Sequence, residues 1–210
     1  MKMQRKSRFA SGFLAVVMLV ISLGALCSCA TEPPLLEDVR EEYIALIEAS
    51  AEINAFLFGA GLPVYERDGS EESATVYDGM IETLDNYEFV REESKYLSIS
   101  AMKEAAERVY SADYLESAYM MAFDGYSDEI AGVTTARYIE WDGWLYKSIS
   151  YEPLISETRT FNYDTMKIVK PSRGEYVNVS IESSLGAEKL VITLAFTLTE
   201  NGWRLDTPTY

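Results

Sequence analysis

Apolar residues follow three different rhythms along this chain. From Phe13 to Leu26 they run nearly unbroken. Further on, Leu36, Val39, Tyr43, Leu46, Ser50, Ile53 and Leu57 recur at alternating steps of three and four, and Ile44, Ile47 and Ala51 widen the stripe. That spacing predicts an amphipathic helix lying on a sheet. It begins near Leu35, carries Glu37 and Asp38 in its first turn where the helix dipole favours anions, and ends at Gly59 and Gly61. Leu62 to Tyr65 and Tyr87, Phe89 and Val90 read as short strands. After Ser98, helical spacing returns in Met102, Ala105, Ala106, Val109 and Tyr110, with Glu104 four residues ahead of Arg108. Ser111 or Asp113 caps a second short helix through Tyr114, Leu115, Ala118, Tyr119 and Ala122, which Asp124-Gly125 stops.

From Thr134 the period becomes two. Residues 137–141 and 144–148 flank Asp142-Gly143, a strong hairpin signal. Tyr151 to Tyr163 is either a long loop or an edge strand. Strands follow from Thr165 to Lys170 and from Glu175 to Glu182, separated by a turn at Pro171 to Gly174. In Lys189 to Thr199 the residues Leu190, Ile192, Leu194, Phe196 and Leu198 share one face, and Asn201-Gly202 closes a last hairpin onto Trp203. Both turns are expected to hold positive φ at both central residues. Helices first and hairpin-linked strands second predict an α+β fold: N-terminal helices on a curved antiparallel meander, cystatin-like or NTF2-like in general shape.

The first rhythm is of another kind. Lys2, Arg5, Lys6 and Arg8 precede the apolar run and small residues follow it, the order of an export signal. Leu26-Cys27-Ser28-Cys29 resembles the lipobox of bacterial lipoproteins, with Cys29 as the residue that receives the lipid. Cleavage by an ordinary signal peptidase near Ala30, or retention of the segment as an anchor, are the alternatives, although roughly 20 apolar residues are normally needed to span a membrane. The expected layout is a signal peptide over 1–28, the lipidated cysteine and its tether over 29–34, and one α+β domain over 35–210. That layout anchors an exported protein to the outer face of the cytoplasmic membrane.

Residues 29–210 hold 14 basic and 34 acidic residues, a formal charge of −20. Such a field repels nucleic acid and favours cationic partners such as basic protein surfaces, amino sugars or metal ions. The chain has no histidine, and no cysteine follows Cys29, so histidine-based and thiol-based catalysis are excluded. Paired carboxylates remain formally open. The reading is a binding protein, not an enzyme, with no cofactor; no stretch has the spacing of a calcium loop. Two acidic stretches are the candidate contacts. Asp68, Glu71 and Glu72 lie in the first, with Tyr65 just ahead of it; Asp124, Tyr126, Asp128 and Glu129 lie in the second. In each, a tyrosine beside the acids is the expected desolvated anchor.

Four pieces of the sequence carry a resemblance. They are the N-terminal amphipathic helix leading to a Tyr-rich short strand, and Tyr96-Leu97-Ser98 with Val109 to Tyr114 around the paired helices. The others are the hairpin from Ala136 to Tyr146 and the closing stretch from Phe196 to Leu205. Together they resemble the IseA-like family, extracellular inhibitors of peptidoglycan DL-endopeptidases. The resemblance implies a non-enzymatic domain whose partner is the catalytic domain of a cell-wall hydrolase. It departs from the freely secreted members in having Cys29. The alternative is an NTF2-like or cystatin-like module that holds a small ligand in a pocket lined by Tyr and Trp.

Overall fold

The three-four stripe forms one 22-residue helix, α1 (Leu36–Leu57), in the computed structural model of the protein. The structure describes residues 32–67, 86–125, 127, 128, 133, 134 and 136–210. On α1 the buried side chains are Val39, Tyr43, Leu46, Ile47, Ser50, Ile53, Asn54, Phe56 and Leu57. Each large apolar one contributes roughly 1.5–3 kcal/mol relative to exposure. Tyr43 shows what the stripe rests on: its ring stacks on Phe196 with centroids 3.9 Å apart and meets Trp203 edge-on at 5.3 Å.

That partner surface is a four-stranded antiparallel meander of β6 (Thr160–Arg173), β7 (Tyr176–Leu185), β8 (Glu188–Thr199) and β9 (Gly202–Leu205), paired in chain order. Of the five residues expected on one face of β8, Leu194 and Phe196 are fully buried. Leu190 and Leu198 lie exposed toward the strand's ends, outside the core. β6 begins at Thr160, so the mixed stretch before it resolves into a loop followed by an edge strand. It also runs through Pro171, where a turn is expected. A proline has no N–H for the ladder, and the register shift between Val169 and Arg173 accommodates it.

The hairpin at Asp142-Gly143 does not join the meander. Its strands, β4 (Tyr138–Trp141) and β5 (Trp144–Ser148), form a separate sheet with β1 (Tyr87–Phe89), in the order β1-β5-β4. Val64 bridges to Val90 and extends the β1 edge. Asp142 and Gly143 have φ of 49° and 84°, the expected mirror-image turn. At the last hairpin the expectation fails: only Gly202 has positive φ, at 95°, and it pairs with Thr199, leaving Glu200-Asn201 as the loop. A two-stranded ladder of β2 (Ser127–Asp128) and β3 (Val133–Thr134) completes the strands described.

Two short helices lie between β1 and that ladder. Ser98 caps α2 (Ile99–Glu107) by accepting from Ala101 N–H, and Ser111 caps α3 (Ala112–Tyr119) by accepting from Tyr114 N–H. Glu140 of β4 adds a second acceptor at the start of α2, 2.6 Å from Ile99 N. A π-helical turn, Met120–Asp124, continues α3 and ends at Gly125. The linker between α2 and α3 is sewn to β9: Ser111 N–H donates to Leu205 O and Leu205 N–H to Val109 O, both at 2.8 Å. Residues from α1, α2, α3, the π turn and β4 to β9 meet in one core within the unit Pro33–Tyr210, and Tyr87 and Phe89 of β1 pack with Tyr146 in a smaller second cluster; the fold is α+β.

Candidate functional site

The two acidic stretches are tied together where they meet the fold. The chain runs antiparallel to β1 through Val64 and Tyr65, whose N–H donates to Phe89 O at 2.9 Å. Arg67 then reaches Glu88 at 3.8 Å, and the chain rejoins β1 by way of Asn86. The second stretch leaves after the π turn, where Met121 O accepts from Arg137 N–H, and returns through Ala136 into β4. Tyr87, the first residue of β1, donates its phenol hydrogen to Ala136 O at 2.6 Å. One hydrogen bond thus joins the return points of both stretches at the end of the three-stranded sheet away from its hairpin tip. Glu66 to Glu88 and Asp124 to Gly132 together contain eleven acidic residues and one basic one, Arg67. Burial raises the pKa of the Tyr87 phenol, so it stays a donor well into the alkaline range.

Each predicted contact residue can now be placed. Tyr65 is half-buried, its ring stacked on Phe89 at 5.8 Å and covered by the Arg91 guanidinium 5.3 Å away. Asp124 is exposed at the last position of the π turn. Asp128 pairs with Val133 in the two-stranded ladder. Cys29, Asp68, Glu71, Glu72, Tyr126 and Glu129 lie outside the described residues. Among the described residues no helix is long and apolar enough to cross a membrane.

Two further features lie apart from the predicted contact residues. Trp141 and Trp144 pair across the Asp142-Gly143 turn and are 54% and 41% exposed, with Trp144 edge-on to Phe89 at 5.0 Å. Their companion Tyr146 is fully buried, so the aromatic strand is half anchor and half surface. The second feature is a cleft of about 600 Å³ between the C-terminal half of α1, the loop 153–159 and the start of β6. Its floor is polar and closed upon itself. Ser50 Oγ lies 2.6 Å from Thr209 Oγ1, Asn54 Nδ2 donates to Thr209 Oγ1 at 2.8 Å, and Tyr110 OH donates to Asn54 Oδ1 at 2.8 Å. Ala51, counted with the core stripe in the sequence, lines this cleft instead. The available signal was that Ser50 and Asn54 interrupt an apolar face one turn apart, which calls for a buried polar partner.

No protein-family model and no curated protein matches this chain.

Proposed function

We propose that this is a non-enzymatic binding protein, held at the outer face of the cytoplasmic membrane by a lipid on Cys29, that occludes the active-site cleft of a basic-faced cell-wall DL-endopeptidase. The observation that carries the reading is the Tyr87–Ala136 hydrogen bond, which brings the return points of the two acidic stretches together. A patch of one sign raises the encounter rate with a basic surface, and it repels nucleic acid. The resemblance to the IseA-like inhibitors names the partner class. Exposed charges act over roughly 8 Å at physiological ionic strength, so they set association more than residence. Affinity then comes from apolar contact beside the acids, for which Tyr65 and Tyr126 are the candidates.

The test is hydrolysis of peptidoglycan fragments by endopeptidases of the source organism, with and without this protein. Inhibition at micromolar protein is expected, weakening as salt rises. Joint replacement of Asp68, Glu71 and Glu72 by their amides should slow association without unfolding. If no endopeptidase is slowed, the reading is wrong.

The cleft favours a second reading, a small-ligand-binding module of NTF2-like or cystatin-like kind. Its volume falls within the roughly 300–1,000 Å³ usual for small-molecule sites.

A further inference from the structure

We infer that the cleft between α1 and β6 binds a small zwitterionic peptide, with the carboxylate held by Arg159 and the ammonium group by Glu48 or Glu157. The inference rests on the second reading above and is independent of the inhibitor proposal. Arg159 is its centre. Nη1 of this half-buried side chain donates to Ser183 Oγ at 3.0 Å, while Nε is out of contact with solvent and has no acceptor. Among the described residues no carboxylate comes within 4.0 Å of it. Other arginines here are treated differently. Arg40, Arg67, Arg91 and Arg108 each pair with a carboxylate, the buried Arg137 and the half-buried Arg204 are bonded to backbone carbonyls, and Arg173 is exposed to water. In a chain this acidic, a half-buried guanidinium without a counter-charge, on the wall of a cavity, is matched by an anion brought from outside.

The rest of the wall narrows the class of anion. Glu48 and Glu157 also line the cleft and form no ion pair among the described residues. Two carboxylates around one cation disfavour a phosphate dianion and favour a ligand that carries one carboxylate and at least one ammonium group. Ile47, Ile155, Phe161 and Tyr163 supply an apolar surface for its body, and the hydroxyls of Thr158 and Thr160 can meet peptide groups. The floor needs nothing from the ligand, because Ser50, Asn54, Tyr110 and Thr209 satisfy one another. A rigid floor with its free charges on the walls suits a ligand that is read at its ends.

The experiment is calorimetric titration of the full-length protein in detergent micelles with the tripeptide Ala-Lys-Ala, its C-terminal amide, and its N-acetylated amide. The free acid is expected to bind and the C-terminal amide to bind about tenfold more weakly. Arg159→Gln should reduce the acid to the level of the amide and leave the amide unchanged. Equal binding of acid and amide by the parent protein overturns the inference, as does an Arg159→Gln variant that still prefers the acid. Should that variant not fold, the acid–amide comparison on the parent protein decides alone. The acetylated amide separates two failures. If it binds as well as Ala-Lys-Ala, the cleft takes ligands without reading their charges; if no form binds at millimolar concentration, the ligand-binding reading falls as well.

Discussion

Arg137 Nη1 donates to the carbonyl oxygen of Leu57 at 2.9 Å, while Nη2 donates to that of Gly59, so a residue 80 positions downstream closes the end of α1. The side chain is 1% exposed, and its guanidinium lies over the Tyr151 ring at 4.4 Å. Lys147 adds a second cation, donating to Leu62 O at 2.7 Å and Ala60 O at 3.1 Å. A helix end concentrates partial negative charge, and here two cations from the hairpin sheet meet it. Arg137→Met should therefore cost about 3 kcal/mol, since it strands two buried carbonyl groups. Arg137→Lys should recover less than half of that, because an ammonium cannot reproduce the guanidinium fork. Urea unfolding measures both; a loss below about 1 kcal/mol for Arg137→Met would refute the role.

Gly61 and Gly143 have nearly the same backbone, with φ of 82° and 84°, but different surroundings. A Cβ on Gly61 would lie 2.8 Å from each of Arg137 Nη2, Lys147 Cδ and Tyr138 OH, whereas one on Gly143 meets nothing within 4 Å. Gly143→Ala should cost about 1 kcal/mol from backbone strain alone. Gly61→Ala should cost clearly more, about 3 kcal/mol, because it also displaces the cap. Equal losses in thermal melts would show that crowding plays no part.

Tyr87→Phe removes the donor that joins the two acidic stretches and leaves Ala136 O without it. The expected cost is about 1 kcal/mol. If the proposed function is right, the variant also associates more slowly with the endopeptidase while dissociating at the parent rate. Stopped-flow inhibition kinetics on parent and variant check this, and unchanged association would show that the hydrogen bond plays no part in encounter.

Alkaline pH should unfold the protein. Burial raises the pKa of nine tyrosines: Tyr43, Tyr87, Tyr96, Tyr110, Tyr114, Tyr119, Tyr138, Tyr146 and Tyr163. In the unfolded chain these groups ionise near about pH 10. The stability they contribute is complete below that value and is lost as pH rises from it toward their folded pKa values. Lys147 runs the other way: desolvation, then Arg137, lowers its pKa, so its contribution improves as pH rises toward about 10.5. One lysine does not offset nine phenols. Circular dichroism and phenolate absorbance followed together should show both transitions above about pH 10 and coincident. Free ionisation of the phenols in an intact fold would contradict the burial.

Local patterns gave α1, Ser111 as one of two candidate caps for α3, and the Asp142-Gly143 turn, because period, cap chemistry and turn residues act within a few positions of one another. The closing hairpin was misread for a related reason. Asn-Gly is compatible with more than one turn, and here Glu42 Oε1 of α1 accepts from Trp203 N–H at 3.1 Å, a contact 161 residues apart that no local pattern contains. The split into two sheets was equally hidden. β5 pairs with β1 across the whole of α2 and α3, and alternation alone does not say which strand is a neighbour. As for function, the acidic stretches could be read in the sequence, but their junction at Tyr87 and Ala136 could not. The cleft left only the faint trace of two polar residues on an apolar stripe.

The stack of Tyr43 on Phe196 joins the first helix to the next-to-last strand, and Trp203 of the last strand closes it from the edge. The α2–α3 linker likewise waits for Leu205 to satisfy its backbone. A nascent chain that still lacks its final dozen residues therefore has no Trp203 to close the stack from the edge and no partner for Val109 and Ser111. The native core is complete only when the two ends of the domain are brought together. Contacts this distant in sequence carry a large loop-closure cost and place such domains among slow folders, on the order of milliseconds to seconds.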